Sequence, residues 1–356
     1  MPGNSPVWNN SHLKVVATNG IQMAVHATGF GEGHRLPVLF LHGFPELAFS
    51  WRHQLSALHA AGFGVAAPDL RGFGDTGVHG EIEEYRMANL ALDVIGLLDG
   101  MGVERAVVVG HDFGGRLAWT LAREHPHRVM GVASLNTAYS PRTDADTVEM
   151  RRRSHGPTHY MTTFQTPGIG EKLLSADIPA TFSGLMRRPA VTLDEFSCLP
   201  ERLRALPATL FTGEPEVMGE PLLNAEEIDV FVQAYKKTGF TGALNWYRNL
   251  RRDWFDREGQ SDHVPVPALM VSATDDFFLP PDTTQGMEQY VPDLERRLIG
   301  DCGHWTQQER PEAVNSLLLD WLRRRMLPLW TADGSPSSRI GSPDPGQARR
   351  LWAGQN

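Results

Sequence analysis

An aspartate framed by glycines, between a buried strand and a helix, is the feature that most constrains the fold of this chain. Residues 106–109 predict a strand, Gly110-x-Asp112-x-Gly114 follows, and residues 114–124 predict a helix. So sharp a turn strains the backbone of the central residue, and side chains at the glycine positions would collide. The pattern therefore predicts that Asp112 is lifted above the end of a parallel strand. It would lie beside the N–H groups of a helix N-terminus, which attract negative charge.

Strand-like and helix-like segments alternate through much of the chain. A hairpin comes first, because Asn19-Gly20 joins two strand-like segments and both residues tolerate positive φ. The later strands are short apolar runs separated by helical stretches, which is typical of a parallel sheet with helices on both faces. Eight strands are predicted, at residues 13–18, 21–26, 37–41, 64–67, 106–109, 129–135, 268–271 and 296–299, with helices at 48–61, 85–98, 114–124, 283–290 and from 311 onward.

The alternation stops near Ser140, where a helix-prone block with many Pro and Gly interruptions begins. One helix in this block is clear, because Asn224 can cap it and Glu227 stands three residues further on. The chain after the last helix is rich in Gly, Ser, Pro and Asp, a composition that cannot build a core. The predicted parts are an α/β core at 1–139 and 264–330, an inserted helical cap at 140–263 and a flexible tail at 331–356.

Composition argues against several classes of function. Lysine and arginine number 33 against 42 aspartates and glutamates, and the net charge of −9 argues against a nucleic-acid partner. With 2 cysteines, no signal-peptide pattern and no apolar stretch long enough for a bilayer, we expect a cytoplasmic monomer or homodimer without a membrane span. His125-Pro-His127 lacks the further ligands of a zinc site, so no metal and no cofactor are expected.

The residue at the centre of the glycine-framed turn is an acid, and no Gly-x-Ser-x-Gly motif occurs in the chain. An aspartate is ionised at neutral pH and attacks saturated carbon by displacement, which leaves an ester. A carboxylate is a poor nucleophile toward esters and amides. The missing serine excludes a serine esterase. Asp112 on its own could simply cap the helix that begins at Phe113, but the glycines on both sides favour a nucleophile.

Several long motifs stand in the order found in a known family. They are Leu41-His-Gly-Phe-Pro-Glu46, Ser50-Trp-Arg-His-Gln54, Pro68-Asp-Leu-Arg-Gly-Phe-Gly74, Gly110-His-Asp-Phe-Gly114, Leu244-Asn-Trp-Tyr-Arg-Asn249 and Asp301-Cys-Gly-His-Trp-Thr-Gln307. Over roughly residues 13–326 the chain resembles the epoxide hydrolases of the α/β-hydrolase fold. The resemblance implies a mostly parallel eight-stranded sheet with an inserted helical cap. It also implies an enzyme that uses water to convert apolar epoxides to vicinal diols.

A catalytic triad around Asp112 is the next implication of the resemblance. His304, in the loop after the last strand, would be the general base that activates water, in the chain order nucleophile, acid, histidine. The acid that orients His304 follows the strand at 268–271, where Asp275 and Asp276 are both candidates. The run Ser272-Ala-Thr-Asp-Asp276-Phe277 matches the family pattern and selects Asp276.

Two backbone N–H groups would stabilise the oxyanion that forms when the ester is hydrolysed. One belongs to Phe113, the residue after the nucleophile, and the other to Phe44, in the loop after an earlier strand. The resemblance further implies a cis peptide bond between Phe44 and Pro45. Many relatives carry Trp where this chain has Phe113, which leaves the preferred substrate size open.

Two of the 6 tyrosines match the pair that opens the epoxide ring in this family. Tyr247 lies in the motif that ends at Asn249, and Tyr160 lies in a looser match that includes Phe164-Gln165 and Pro167-Gly168. A phenol can donate a hydrogen bond and then a proton to the oxygen that leaves carbon. Each ring could instead simply pack at a helix surface. The expected apolar pocket comprises Phe164, Trp246, Leu279 and Trp305, together with Phe44 and Phe113.

Two other activities and a non-catalytic role compete with this interpretation. A haloalkane dehalogenase also uses an aspartate, but it needs an N–H donor beside the nucleophile, and Phe113 has none. A fluoroacetate dehalogenase would be expected to carry an arginine there. A non-catalytic receptor on this fold could retain the whole triad, so Asp112, Asp276 and His304 alone do not exclude it. The tyrosine pair argues against a receptor, because binding alone does not require two proton donors at one point.

Overall fold

Residues 12–213 and 216–330 are described by the computed structural model, and the predicted tail at 331–356 lies outside them. The described residues contain ten strands. In chain order these are β1 Leu13–Thr18, β2 Ile21–Thr28, β3 Pro37–Leu41, β4 Gly64–Pro68, β5 Ala106–His111, β6 Val129–Leu135, β7 Arg187–Pro189, β8 Met218–Pro221, β9 Ala268–Ala273 and β10 Leu294–Ile299.

Fourteen α-helices accompany these strands in the described part of the chain. They are α1 Arg52–Ala60, α2 Met87–Gly100, α3 Phe113–Glu124, α4 Thr147–His155, α5 Tyr160–Thr163, α6 Ile169–Ser175, α7 Ile178–Leu185, α8 Leu193–Ser197, α9 Glu201–Arg204, α10 Ala225–Thr238, α11 Thr241–Arg248, α12 Leu250–Asp256, α13 Thr306–Glu309 and α14 Pro311–Trp321. Short 3₁₀ turns connect several of them, and a π-helical turn, Leu322–Met326, follows α14.

Eight of the strands form one sheet in the order β1-β2-β4-β3-β5-β6-β9-β10. The two pairings at the β1 edge are antiparallel, and the other five are parallel. Strands β5 and β6 are buried along their whole length, as expected for central strands covered on both faces. The predicted eight-stranded, mostly parallel α/β sheet is confirmed.

Helices cover both faces of this sheet. On one face α2 and α3 bury an apolar stripe that includes Val94 and Leu117. On the other face α1 and α14 pack together through Leu55, Leu318 and Trp321. Burial of large apolar side chains on both faces holds the parallel strands in place, at roughly 25 cal/mol per Å² of apolar surface.

Strand register brings distant parts of the chain together at one end of the sheet. Leu41 pairs with Gly110, His111 pairs with Leu135, and Leu135 pairs with Val271. The loops that follow β3, β5, β6 and β9 therefore emerge side by side. In open α/β sheets this carboxyl edge is where ligands bind.

The helical block lies between β6 and β9 and contains α4 to α12. It also holds a two-stranded antiparallel sheet of β7 and β8, which the sequence pattern did not predict. Asn224 caps α10 as expected, since its side chain accepts the N–H of Glu227 and Glu227 accepts the N–H of Asn224 in return. We propose that this block is a cap with boundaries at residues 140 and 263.

The prediction of a helix at residues 283–290 is wrong. Two separate 3₁₀ turns stand there, Pro281–Thr284 and Met287–Gln289. Gly286 lies between them with a φ of 79°, in the left-handed region that interrupts a right-handed helix. The helix predicted at 48–61 begins as a 3₁₀ turn, Ala48–Trp51, and only then becomes α1.

Candidate active site

Asp112 stands at the strand-to-helix turn between β5 and α3. Its backbone is strained, with φ 50° and ψ −122°, a conformation that L-residues seldom adopt. The flanking glycines are required by close backbone contacts. A Cβ at Gly110 would lie 2.2 Å from the carbonyl oxygen of Gly114, and one at Gly114 would lie 2.0 Å from that of Leu41. The turn leaves the Asp112 side chain 18% exposed.

The Asp112 carboxylate lies against two backbone N–H groups. The N–H of Phe44 donates to Oδ1 at 2.8 Å, and the N–H of Phe113 donates to the same side chain. Gly43 allows this approach, because a Cβ there would lie 2.4 Å from the Cβ of Asp112. The Phe44–Pro45 peptide bond is cis, as predicted. The two N–H groups expected to form the oxyanion hole therefore converge on one carboxylate.

His304 faces Asp112 with one ring nitrogen and Asp276 with the other. The distance from Nε2 to Asp112 Oδ2 is 4.0 Å, and the distance from Nδ1 to Asp276 Oδ2 is 2.9 Å. The neighbouring acid, Asp275, turns away and accepts the backbone N–H of Leu193 at the start of α8. Of the two candidate acids, Asp276 is therefore the one that the fold brings to the histidine.

Asp276 is fully buried, and all its contacts hold the carboxylate in one orientation. Oδ1 accepts the backbone N–H groups of Phe278 and Leu279, both at 2.9 Å. Oδ2 accepts the side-chain amide of Asn136 at 2.6 Å, in addition to His304. Sequence reasoning missed Asn136. Its position directly after β6, at the carboxyl edge beside the nucleophile strand, is the signal that could have identified it.

The charges of the three residues depend on one another. Burial lowers the pKa of His304, but the negative charges of Asp276 and Asp112 outweigh burial and raise it to about 9. Burial raises the pKa of Asp112, although His304 partly opposes the effect. Burial would also raise the pKa of Asp276, but the charge and hydrogen bond of His304 hold it below the usual range. The resting site therefore favours an imidazolium between two carboxylates.

Tyr160 and Tyr247 come from the helical block and meet above the nucleophile. Their ring centroids are 5.8 Å apart, and the Tyr247 ring packs edge-on against Phe44 and Phe113 at 5.1 and 4.7 Å. Burial raises the pKa of both phenols, and the negative charge of Asp112 raises it further, so both stay protonated. Neither hydroxyl has a hydrogen-bond partner among the described residues. Two proton donors are thus free to bind a ligand near Asp112.

A cavity of about 600 Å³ opens onto the nucleophile. Asp112, Phe113, Tyr247 and Leu279 line it, so the reactive group lies beside apolar and aromatic surface. The predicted apolar lining describes only part of the wall, because charged residues also line this cavity. Among them are five arginines: Arg116, Arg123, Arg142, Arg151 and Arg257.

The other predicted pocket residues are buried behind the reactive groups and are not among those that line this cavity. Phe164 packs against Tyr160 and Tyr247, with centroid distances of 5.8 and 5.3 Å. Trp246 packs against Phe113 and donates its indole N–H to a backbone carbonyl. Trp305 packs against the ring of His304 at 4.8 Å. These three residues support the site from behind.

Two features are absent from residues 12–213 and 216–330. No group of three or more His, Cys, Asp and Glu side chains is arranged to hold a metal ion there. Within the same ranges, no helix combines the length and the apolar character needed to cross a membrane.

Comparison with known proteins gives matches over most of the chain. A family model described as alpha/beta hydrolase fold matches residues 37–311. Bifunctional epoxide hydrolase 2 of Sus scrofa is 40% identical over 318 residues, which cover 88% of this chain and 55% of the relative. This chain thus spans about half the length of the bifunctional relatives it matches. Epoxide hydrolase A of Mycobacterium tuberculosis is 38% identical over 318 residues, covering 87% of this chain and 96% of the relative.

The solved structures agree with the sequence matches. The crystal structure of epoxide hydrolase A from Mycobacterium thermoresistibile superposes with a TM-score of 0.78 at 35% identity. The superposition covers 88% of this chain and 98% of that one. Since sequence and fold both match over nearly nine-tenths of its length, the chain belongs to the epoxide hydrolase family of the α/β-hydrolase fold.

Proposed function

We propose that this protein converts apolar epoxides to vicinal diols through a covalent ester on Asp112. One observation carries the proposal: the rings of Tyr160 and Tyr247 meet 5.8 Å apart, close enough to Asp112 that its negative charge helps to raise the pKa of both phenols. A carboxylate with proton donors opposite it suits a strained ring whose carbon is attacked while its oxygen leaves. The relatives named above are epoxide hydrolases, and their names point to the same chemistry.

Ring opening would use Oδ2 of Asp112, because Oδ1 already accepts the N–H of Phe44. Oδ2 attacks an epoxide carbon, the carbon–oxygen bond of the ring breaks, and a carbon–Oδ2 ester bond forms. The departing oxygen takes a proton from Tyr160 or Tyr247. Both phenols hold their protons strongly in the resting site, since part of their raised pKa comes from the negative charge of Asp112. Esterification removes that charge, so proton donation becomes easier as the ester forms.

Ester hydrolysis would use His304 as the base. Esterification neutralises Asp112 and so removes one of the charges that raise the pKa of His304. As that pKa falls, the imidazolium releases its proton to solvent, from which it regains one when the Asp112 carboxylate is restored. The neutral ring takes a proton from water, and the resulting hydroxide attacks Cγ of Asp112. The N–H groups of Phe44 and Phe113 stabilise the oxyanion. Collapse of this intermediate breaks the bond between Cγ and the alkyl oxygen, which takes the proton from His304. The new carboxylic acid at Asp112 then ionises, and its proton restores the tyrosine.

A dehalogenase is less well supported by the same site. A departing halide needs N–H donors that stabilise an anion without giving up a proton. Phe113, the residue after the nucleophile, has an apolar side chain, and the groups that face Asp112 are phenols. Phenols can protonate a departing alkoxide, whereas a halide leaves as an anion and needs no proton.

Single-turnover hydrolysis of styrene oxide or stilbene oxide in ¹⁸O-water, with enzyme in excess, tests the mechanism. In the proposed route the diol takes its new oxygen from the Asp112 carboxylate. The diol of the first turnover should therefore carry only ordinary oxygen. Mass spectrometry should find the ¹⁸O label in the peptide that contains Asp112.

Two results would contradict the proposal in different ways. A first-turnover diol that already carries ¹⁸O would mean that water attacks the epoxide directly, and the roles of Asp112 and His304 would be wrong. Failure to form diol from any of several epoxides would favour a dehalogenase or a receptor. Halide release from a haloalkane would then separate those two.

A further inference from the structure

The cavity beside the nucleophile contains more positive charge than the mechanism above uses. Apart from Asp112, the carboxylates that line it are Glu124, Asp253 and Asp256, against five arginines. The whole chain has a net charge of −9, so this excess of arginine is local and does not reflect a basic composition. An arginine that lines a cavity without a carboxylate partner is suited to bind an anionic ligand.

Most of these charges neutralise one another, and two do not. The ion pairs of the cavity arginines are Arg116 with Asp253, Arg123 with Glu124 and Arg257 with Asp262. The remaining carboxylate, Asp256, pairs with Arg86 at 3.0 Å. Arg142 and Arg151 are the cavity arginines whose guanidinium groups have no carboxylate partner in the part of the chain that the structure describes.

Arg142 is held in the cavity wall by contacts that leave the end of its side chain free. Its guanidinium lies over the Trp254 ring, 3.8 Å from the centroid, and Nε donates to the backbone carbonyl of Trp254 at 3.1 Å. The two terminal nitrogens have no hydrogen-bond partner among residues 12–213 and 216–330. Stacking on an indole fixes the plane of the guanidinium, and the terminal N–H groups of such a plane match the two oxygens of a carboxylate.

Arg151 reaches the same cavity from α4. Thr147, Met150 and Arg151 all line the cavity, at the spacing of one helix face. Arg151 makes no hydrogen bond or ion pair with the described residues. Burial raises the pKa of Tyr160, and the positive charge of Arg151 partly opposes that rise, so this charge acts close to a proposed ring-opening donor. A free cation therefore stands on the side of the cavity that the helical block forms.

The cavity follows one face of α3, away from the nucleophile and toward the end of the helix. Four of its lining residues lie on that face, and they are Asp112, Arg116, Trp119 and Arg123. At a rise of 1.5 Å per residue, the distance along the helix is about 6 Å from Asp112 to Arg116 and about 16 Å from Asp112 to Arg123. A substrate with its epoxide at Asp112 thus has room for a body of one or two aromatic rings.

Aromatic side chains supply apolar surface for such a body. Phe113, Trp119, Tyr139 and Trp254 line the cavity. Trp119 and Tyr139 pack edge to face, with their ring centroids 5.7 Å apart. Rings in this arrangement offer flat surfaces and edges to a bound aryl group. One cavity thus combines a nucleophile, an aromatic wall and two free guanidinium groups.

We propose that this cavity selects epoxides whose aryl-sized apolar body carries a carboxylate, and that Arg142 and Arg151 bind the carboxylate. The inference rests on the proposed function and deepens it, because it names the substrate class of the same site. A carboxylate held by these arginines lies away from Asp112, whose own negative charge would repel it. The apolar body then places the epoxide carbon at the nucleophile.

Competition between paired substrates tests this selectivity. 4-Carboxystyrene oxide and its carboxamide have nearly the same shape and differ in charge, and the corresponding biphenyl pair is longer by one ring. At least one of the two acids should have a kcat/KM about tenfold above that of its amide. The preference should shrink in about 1 M salt, because salt screens charges at partly exposed arginines.

Substitution of the two free arginines should remove the preference. Arg151→Gln and Arg142→Gln should each lower the ratio of kcat/KM for acid over amide, and the double variant should bring it close to one. The ratio is measured because a loss of stability lowers both rates together. Arg152→Gln is the matched control, since Arg152 is the next residue on α4, does not line the cavity and pairs with Glu149 at 2.8 Å. Its ratio should equal that of the wild type.

Equilibrium binding separates the anion site from the chemistry. 4-Ethylbenzoate, 4-ethylbenzamide and their biphenyl homologues keep the shapes of the substrate pairs but have no epoxide ring to open. Titration calorimetry should find at least one acid bound about tenfold more tightly than its amide by the wild type. The double variant should bind the two about equally. The wild-type comparison stands even if a variant fails to fold.

Equal binding and equal kcat/KM of acid and amide at both lengths would overturn the proposed anion site. A preference that survives in the folded double variant would do the same. If the acids bind selectively but no diol forms, or the first-turnover diol carries ¹⁸O, the anion site stands and the proposed function fails. If diol forms through Asp112 without any preference for the acids, the proposed function stands and the anion site fails.

Discussion

The reactive side chains of the sheet and those of the helical block are held by different kinds of contact. Hydrogen bonds hold the groups at the carboxyl edge of the sheet, and ring packing holds the groups from the helical block. Asp112 and Asp276 each accept at least two backbone N–H groups, and the carboxylate of Asp276 also holds His304. Tyr160 and Tyr247 are held only by ring packing, and their hydroxyls have no partner among the described residues. The charged groups are therefore fixed before substrate arrives, while the proton donors are left for the substrate to bind.

This difference has a physical reason. Carboxylates at the ends of parallel strands find free backbone N–H groups, which hold charge in place at little entropic cost. A phenol wedged among aromatic rings is positioned just as well, because Tyr247 contacts Phe44, Phe113 and Phe164 at centroid distances of 4.7 to 5.3 Å. Its hydroxyl then meets the substrate without first giving up a hydrogen bond.

His304→Gln should have the largest effect, because it removes the only proposed base from the fixed set. Glutamine cannot take a proton from water, so ester hydrolysis should slow by about 10³-fold while ring opening continues. Intact-protein mass spectrometry after mixing with epoxide should then find the protein heavier by the mass of one substrate. A variant that loses activity without accumulating this adduct would show that His304 acts before the ester forms.

The two adjacent acids offer a matched pair of substitutions. Asp276→Asn should lower turnover by about 10²-fold or more, because the amide no longer stabilises the imidazolium of His304. Asp275→Asn should leave turnover unchanged, since Asp275 is directed to the N–H of Leu193 and not to His304. Steady-state kinetics on both variants is sufficient. Equal losses of turnover in the two variants would contradict the assignment of Asp276 as the acid that orients His304.

Tyr160→Phe and Tyr247→Phe test the donors from the helical block. Each single variant should slow ring opening by about 10²-fold and no more, because the other phenol still protonates the alkoxide. Ester hydrolysis should be unchanged, because its base is His304. The double variant should lose far more than either single one. Quenched single-turnover reactions separate the two steps. If ester hydrolysis slows while ring opening stays normal, the tyrosines act in ester hydrolysis, and their proposed role in ring opening is wrong.

The two half-reactions should depend on pH in opposite directions. Ring opening needs ionised Asp112, so it should fall about tenfold per pH unit below the raised pKa of that carboxyl. Ester hydrolysis needs neutral His304 and should rise with pH. Its midpoint should lie below about 9, because esterification removes the charge of Asp112 that helps to raise the pKa of His304 in the resting enzyme. A midpoint at or above that value would contradict the coupling of the two groups.

The smallest expected effect is on stability, at the ion pair that joins α10 to the core. Arg52 and Glu227 form an ion pair at 2.8 Å whose side chains are 8% and 20% exposed. Glu227→Gln keeps the shape and should lower the free energy of unfolding by about 1–2 kcal/mol. The control is Lys237→Gln, which removes an equally short pair to Asp75 whose side chains are 64% and 56% exposed. Denaturant unfolding should detect no change there. Equal losses would mean that burial does not decide the strength of these contacts.

The glycine-framed turn and the alternation of strands and helices could be predicted from the sequence itself, because each depends on local backbone geometry or on short patterns. The eight-stranded sheet and the cis bond at Pro45 followed from the family resemblance that the longer motifs carry. Gly110 and Gly114 are required by contacts within the turn and with the end of β3, and such contacts leave a pattern in the sequence. The helix predicted at 283–290 failed for an equally local reason, the left-handed conformation of Gly286.

What the tertiary structure alone decided is which distant side chains meet. Asn136 reaches Asp276 only because β6 and β9 are neighbours in the sheet, and Glu46 reaches His111 only because β3 and β5 are. Strand order is a property of the whole fold and leaves no short motif. The sequence therefore determined which groups could react. The packing of strands and helices decided their distances, their charges and which of them keep a free hydrogen-bonding atom.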